Sequence, residues 1–200
     1  MKAFWDQRYS EEGFAYGEQP NAFLHSQRGR LRAGQRALVL GDGEGRNGVW
    51  LAEQGLQVTT LDYSAAGVAK SRQLARRRGV EIEALCEDVF QWQWPRETFD
   101  VAVLIYLHFP SASRPEVHRR VLEALRPGGL VLLEAFNKDQ LDYPSGGPPE
   151  RDMLFSAAEL AADFATAEIE LLEERVVELD EGKYHVGPGA VVRLVAHKPA

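Results

Sequence analysis

Short apolar runs alternate with stretches whose apolar positions recur at helical spacing, a β-α succession that begins near residue 37 and predicts a parallel sheet covered by helices. Residues 37–40 predict the first strand, 47–54 a helix stopped by Gly55, and 56–61 the second strand. Ser64 caps a helix that runs to Arg78 and ends at Gly79, where Arg76, Arg77 and Arg78 suit the negative end of its dipole. Residues 80–86 predict the third strand, and 99–107, almost unbroken in apolar residues, a central fourth. Ser113 and Glu116 have capping-box spacing, after which Val117, Val121, Leu122 and Leu125 keep a helical period until Pro127-Gly128-Gly129 stops it. A fifth strand over 130–136 leads into a proline- and glycine-rich loop, 137–155, of a length that tends to be functional. Ser156 and Glu159 repeat the capping-box spacing, and two strand-like runs, 168–179 and 186–198, close the chain as a candidate antiparallel pair. Trp92 and Trp94 alternate with glutamines, as on a half-buried edge strand, and are expected in the core.

With 200 residues, 44% of them hydrophobic and 10% aromatic, the chain suits one globular domain spanning 1–200, whose residues 1–34 form an N-terminal helical lid region. A net charge of −7 disfavours nucleic acid and anionic membranes as partners and leaves small solutes. Cys86 is the single cysteine, which excludes a disulfide framework and a cysteine-rich metal site within the chain. Neither a signal-peptide core nor a membrane-length apolar run is present. The expectation is a soluble, cytoplasmic monomer or homodimer.

The most specific feature is the run Leu38-Val39-Leu40-Gly41-Asp42-Gly43-Glu44-Gly45-Arg46-Asn47-Gly48, a strand entering a glycine loop that opens a helix. Open α/β sheets bind nucleotide-like ligands at such loops. Gly43-x-Gly45-x-x-Gly48 also fits a dinucleotide pattern, and three glycines can simply form a tight turn. Asp42 and Glu44 weigh against a pyrophosphate, whose charge they would oppose at the helix N-terminus. S-adenosylmethionine, with its ammonium and sulfonium, has the complementary charge.

The resemblance to a family rests on the whole chain. Residues 37–48 look like motif I of the class I S-adenosylmethionine-dependent methyltransferases, Leu61-Asp62-Tyr63-Ser64 like the acidic end of their second strand, Glu87-Asp88-Val89 like motif II, and Leu125-Arg126-Pro127-Gly128-Gly129 like the turn before strand five. Phe4-Trp5-Asp6-x-Arg8-Tyr9, Tyr16-Gly17-Glu18-x-Pro20 and Gly45-Arg46-Asn47 resemble small bacterial methyltransferases of the tellurite-resistance type, which share features with thiopurine methyltransferases. Val39 departs from the pattern, standing where motif I usually carries an acid, with Asp42 the nearby substitute. The resemblance implies an α/β, Rossmann-like three-layer sandwich with a seven-stranded, mostly parallel sheet of order 3-2-1-4-5-7-6, strand 7 antiparallel. It also implies S-adenosyl-L-methionine as cofactor and S-adenosyl-L-homocysteine as product.

Expected cofactor contacts are Tyr16, Gly41, Asp42, Gly43, Gly45, Arg46, Asn47, Asp62, Tyr63, Ser64, Asp88 and Val89. Asp62, about twenty residues beyond the glycines, suits the ribose hydroxyls. Asp88 and the Val89 amide suit adenine, while Asn47 serves equally as a helix cap. Phe4, Trp5, Tyr9, Phe14 and Tyr16 precede the sheet and suit either a lid that excludes water or a helix packed on the domain. His108, following strand four, and His185, between the last strands, are candidate catalytic bases. His108 serves equally as a cofactor contact or a partner for a backbone carbonyl. Phe136, Tyr143 and Tyr184, with Glu134 and the Ser145-Gly146-Gly147-Pro148 loop, are the candidate substrate wall. His25, His118 and His197 are expected at the surface without partners, and no metal site is expected. The pattern therefore predicts methyl transfer to a small-molecule nucleophile. A non-catalytic S-adenosylmethionine-binding sensor would use the same cofactor residues, and a nicotinamide oxidoreductase remains a third reading.

Overall fold

The computed structural model describes residues 2–200. In chain order the elements are α1 (Lys2–Ser10), α2 (Ala22–Ser26), β1 (Arg36–Leu40), α3 (Arg46–Glu53), β2 (Gln57–Asp62), α4 (Ala65–Arg78), β3 (Glu83–Cys86), β4 (Phe99–Ile105), α5 (Arg114–Ala124), β5 (Leu125–Phe136), α6 (Ala157–Asp163), β6 (Glu168–Glu181) and β7 (His185–His197). The seven strands lie in the order β3-β2-β1-β4-β5-β7-β6, as the family resemblance implies.

The chain divides into two compact units, 1–93 with 181–183, and 94–180 with 184–200. In the first, β1 and β2 pair in parallel from Arg36↔Gln57 to Leu40↔Leu61, and β2 pairs in parallel with β3. Ser64 caps α4 by accepting from the Gly67 amide, and Gly79 ends the helix in the left-handed region. In the second unit β4 and β5 are parallel, while β5 and β7 run antiparallel from Leu130↔His197 to Phe136↔Val191. The three-residue turn between β6 and β7 is too short for a parallel crossover, so these neighbours are antiparallel. Phe136, Leu154, Leu179 and Val191 form a buried cluster in this unit.

Several local expectations are corrected. The third strand begins only at Glu83, since Val80 and Ile82 instead pack on Val49, Leu74 and Ala75. Trp92 and Trp94 lie half-buried outside any strand. The Ser113 box does not form: Ser113 adopts a helical backbone, its hydroxyl donates to the Pro110 carbonyl, and Glu116 pairs with Arg120. Ser156 does cap α6, accepting from the Glu159 amide. Arg126-Pro127-Gly128-Gly129 belongs to the start of β5 rather than to a turn before it. His118 is buried, not at the surface, with Nδ1 2.9 Å from Asp163. His197 also has a partner, Glu170 at 3.4 Å.

Candidate active site

Beyond β1 the first unit turns through Gly41, Gly43 and Gly45, at φ of 64°, 55° and 92°, a conformation glycine adopts without penalty. A Cβ on Gly43 would stand 2.5 Å from the Tyr9 hydroxyl, and one on Gly48 2.4 Å from Asp42 Oδ2. Tyr9 therefore lies directly against the glycine loop. Asp42 turns under the loop and accepts from the Gly48 amide at 3.2 Å through both oxygens. Burial, opposed by those bonds, pushes its carboxyl up to about 8.

Asp62 closes β2, with Oδ2 accepting from Gly43 N at 2.9 Å and Oδ1 from Ser64 N at 2.8 Å. Burial raises its pKa as well. Half-buried Tyr63 follows, its phenol pushed up to about 12 by burial and by the negative Asp62, Asp88 and Asp6. Ser64 donates its hydroxyl to Asp6 of α1 at 2.7 Å. Asp88 folds its own turn, accepting from Phe90 N at 2.9 Å, and Val89 lies half-buried within it.

The remaining polar residues of the loop hold the N-terminal segment. Glu44 accepts from Ala15 N at 2.6 Å and from the Lys70 ammonium at 2.8 Å. Asn47 accepts from Asn21 N at 2.9 Å and does not cap α3, whose N-cap is Gly45. Arg46 pairs with Glu181 at 2.9 Å. The charge of Glu44, half of the argument for a cationic ligand, is thus already matched within the chain. Tyr16 is half-buried and accepts from Arg8 at 2.9 Å.

In the second unit Tyr106 follows the end of β4 with φ at 52°, uncommon for a bulky residue. Its ring stacks on Phe136 with centroids 4.6 Å apart and meets the His185 ring edge-on at 4.7 Å. The Tyr106 hydroxyl donates to Glu134 Oε1 at 3.1 Å, and Arg193 Nε donates to Glu134 Oε2 at 2.6 Å. Sequence reasoning missed Tyr106 and Arg193, because neither lies in a motif and their partner is 28 residues from one and 59 from the other.

Phe136 is fully buried and supports Tyr106 from the core. His185 is buried, and Gly146, at φ 116°, packs so closely that a Cβ there would stand 2.7 Å from its ring. Tyr184 and Tyr143 are half-buried. The 137–155 loop is tied by Gln140, which bonds Ser145 Oγ at 3.0 Å, the Gly146 carbonyl at 3.0 Å and the Ala190 amide at 2.7 Å.

His108 does not have the setting of a general base. Its Nδ1 lies 2.9 Å from the Met153 carbonyl, Nε2 accepts from Phe136 N at 3.4 Å, and burial pushes its pKa down to about 4. Among the described residues, no three or more His, Cys, Asp or Glu are grouped to hold a metal ion, and no helix is long and apolar enough to cross a membrane.

The strand order, a glycine loop opening α3 and an acid closing β2 define a class I methyltransferase fold. Residues 37–129, a little under half of the chain, match the family described as "Methyltransferase domain", and the strand order is that of the class I S-adenosylmethionine-dependent methyltransferase fold. Among curated relatives, Hemagglutinin 1 of Eikenella corrodens is 28% identical over 142 residues, 70% of this chain and 46% of that protein. The tRNA 5-carboxymethoxyuridine methyltransferase of Escherichia coli K12 is 29% identical over 132 residues, 58% of this chain and 49% of that one. The chain thus spans about half the length of either relative. Of solved structures, one described as "Conversion of a Disulfide Bond into a Thioacetal Group during Echinomycin Biosynthesis" superposes with a TM-score of 0.81 at 19% identity, covering 100% of this chain and 92% of that one. TehB from Haemophilus influenzae gives 0.72 at 19% identity, covering 98% and 66%.

S-adenosylmethionine is the cofactor such a domain implies, and Asp62 has the acceptor chemistry that its ribose hydroxyls call for. Asp62 receives one amide on each oxygen, which leaves each an acceptor site for a ribose hydroxyl.

Proposed function

We propose that this protein transfers the methyl group of S-adenosylmethionine to a small-molecule nucleophile in the cytoplasm, releasing S-adenosylhomocysteine, and that its two units work as one domain, 1–200. The observation that carries this reading is the coincidence of the methyltransferase-domain match with Asp62 at the end of β2, bonded to the glycine loop. When bound, S-adenosylmethionine would supply a sulfonium methyl to an aligned nucleophile, the carbon–sulfur bond breaking with its electron pair left on the sulfur of S-adenosylhomocysteine.

The first unit holds the donor in this reading. Asp62 takes the ribose hydroxyls, Asp88 and the Val89 amide the adenine, and Gly41, Gly43 and Gly45 make the tight turn that carries the site, Gly43 and Gly45 leaving room for Tyr9 and Ser71. Asp42, Arg46, Asn47 and Ser64 shape the loop from beneath and beside it, with Tyr16 and Tyr63 as its aromatic neighbours. The second unit holds the acceptor, with Tyr143 and Tyr184 as its wall and Phe136 behind Tyr106. His185 takes the acceptor's proton where the nucleophile carries one. His108, neutral and bonded through both ring nitrogens, braces Phe136 and Met153 instead. Alignment of the nucleophile and exclusion of water provide most of the rate.

A small acceptor is favoured over RNA by the net charge of −7 and by the exposed carboxylates Glu168, Glu170, Glu174 and Glu178 on β6, which repel a phosphate backbone. A thiol, chalcogen, oxygen or nitrogen nucleophile fits equally. Titration of the cofactor-stripped protein with S-adenosylmethionine, S-adenosylhomocysteine and NADH tests the donor, micromolar binding of the first two alone being expected. Methyl-transfer assays with thiols, chalcogen oxyanions and total tRNA then test the acceptor, and labelling of tRNA alone would overturn the small-molecule reading.

A further inference from the structure

The segment 11–21 is held on two sides. On one side the glycine loop grips it, Glu44 accepting from Ala15 N at 2.6 Å and Asn47 from Asn21 N at 2.9 Å. Lys70 adds bonds to the Glu11 and Gly13 carbonyls at 2.7 and 2.5 Å. On the other side lies the segment 181–183, the last residue of β6 and the first two of the β6–β7 turn, which belongs to the first unit although β6 and β7 fall mostly in the second. The Lys183 amide donates to the Ala15 carbonyl at 3.1 Å, and its ammonium pairs with Glu11. Both backbone groups of Ala15 are therefore bound, one to the loop and one to the turn.

Glu181 joins the two sides. One oxygen takes the Arg46 guanidinium and the other the Asn21 side-chain amide, each at 2.9 Å, and the Arg46 and Glu181 side chains are only 9% exposed. Gly182 presses against the segment's backbone so closely that a Cβ would stand 2.5 Å from the Ala15 carbonyl and 2.6 Å from Gly17 N. No side chain fits there without displacing the segment.

We propose that segment 181–183 is a latch that fixes segment 11–21 against the glycine loop, and that Glu181 is the positioning residue through which it governs how fast the cofactor leaves. The second part rests on the methyl-donor reading. Glu181 acts through Arg46 and Asn21, neither of which has to touch the ligand. Loosening a segment held against the glycine loop raises the population of its open form, through which a ligand bound at that loop leaves. Opening the latch removes its tie on Ala15 and on Asn21 at once, leaving each bonded to the loop.

The test combines hydrogen exchange of the ligand-free protein with stopped-flow dissociation of S-adenosylhomocysteine, in wild type, Glu181→Gln and Gly182→Ala. Exchange in 11–21 is expected to accelerate by about 10-fold or more in both variants, with β1 and β4 unchanged, and dissociation to accelerate by a similar factor. Unchanged exchange in 11–21 in both variants overturns the latch. Faster exchange with unaltered dissociation overturns the role of Glu181 in cofactor release. Wild-type protein that binds no S-adenosylhomocysteine overturns the donor reading, while the ligand-free exchange still decides the latch.

Discussion

Asp42 and Asp62 of the first unit and the acids Glu134 and Asp163 of the second are bonded in opposite ways. In the first, carboxylates meet backbone amides, as Asp62 meets Gly43 and Ser64 and Asp42 meets Gly48. In the second, side chains meet side chains, as Glu134 meets Tyr106 and Arg193 and Asp163 meets His118 and Arg114. A carboxylate on amides fixes the shape of a loop and leaves lone pairs for a ligand. A buried ion pair fixes strands and rings, and removing one partner strands the other. The first arrangement suits recognition of a fixed cofactor, and the second a rigid wall for an acceptor.

The sharpest way to break this comparison is Arg193→Met, which leaves Glu134 buried with the Tyr106 hydroxyl but no Arg193 counter-ion. Loss of one partner of a buried pair predicts a destabilisation of about 3–5 kcal/mol in urea unfolding, and Glu134→Gln alone should cost less. An Arg193→Met protein as stable as wild type would mean that the pair is no brace.

Asp42→Asn tests whether the first unit carries a buried acid rather than a paired one. The folded pKa of Asp42 lies near 8, above its unfolded value, so its contribution to stability is complete in acid and is lost as pH rises towards 8. Asparagine should remove that decline, by at most about 4 kcal/mol between pH 5 and 8, one proton over three pH units. Thermal unfolding across that range reads it, and an unaltered slope would place the titration elsewhere.

Asp62→Ala separates the units by function. Cofactor affinity should weaken by roughly 1–3 kcal/mol, as for lost hydrogen bonds to a charged group, whereas Tyr106→Phe should leave it unchanged. Calorimetry with S-adenosylhomocysteine compares the two, and equal losses would erase the division of labour. At neutral pH the smallest effect belongs to His108→Gln, which is read in acid. Its folded pKa is depressed to about 4, so its stabilising contribution is present above about 6.5 and is lost as pH falls through that interval. The variant should flatten the acid limb of stability while leaving the pH profile of turnover in place, and a shifted profile would restore His108 as a base.

The contrast also explains what was legible in the sequence. Gly41 to Gly48 and Asp62 to Ser64 are short contiguous signals tied to one strand end and one helix start, and the structure sets them side by side. The strand order followed from family likeness rather than from periodicity. Ser113 failed as a cap because Pro110 and Pro115 flank a turn in which its hydroxyl folds back, a competition that spacing does not reveal. His118 read as a surface residue because its partner Asp163 lies 45 residues away on another helix. Glu44 and Asn47 showed their residue types but not their partners in the N-terminal segment, since Ala15 and Asn21 meet them through backbone amides, which every residue type but proline carries.

Tyr106 carries a different consequence. A left-handed backbone at a bulky residue costs on the order of 1–3 kcal/mol, which glycine at the same position would relieve. Selection for thermal endurance alone would therefore drift towards glycine or asparagine at position 106, and the ring is tolerated only because Phe136, His185 and Glu134 hold it from three sides. Heat-adapted variants raised in the laboratory without selection for activity should lose this tyrosine early, and those raised with it should keep it.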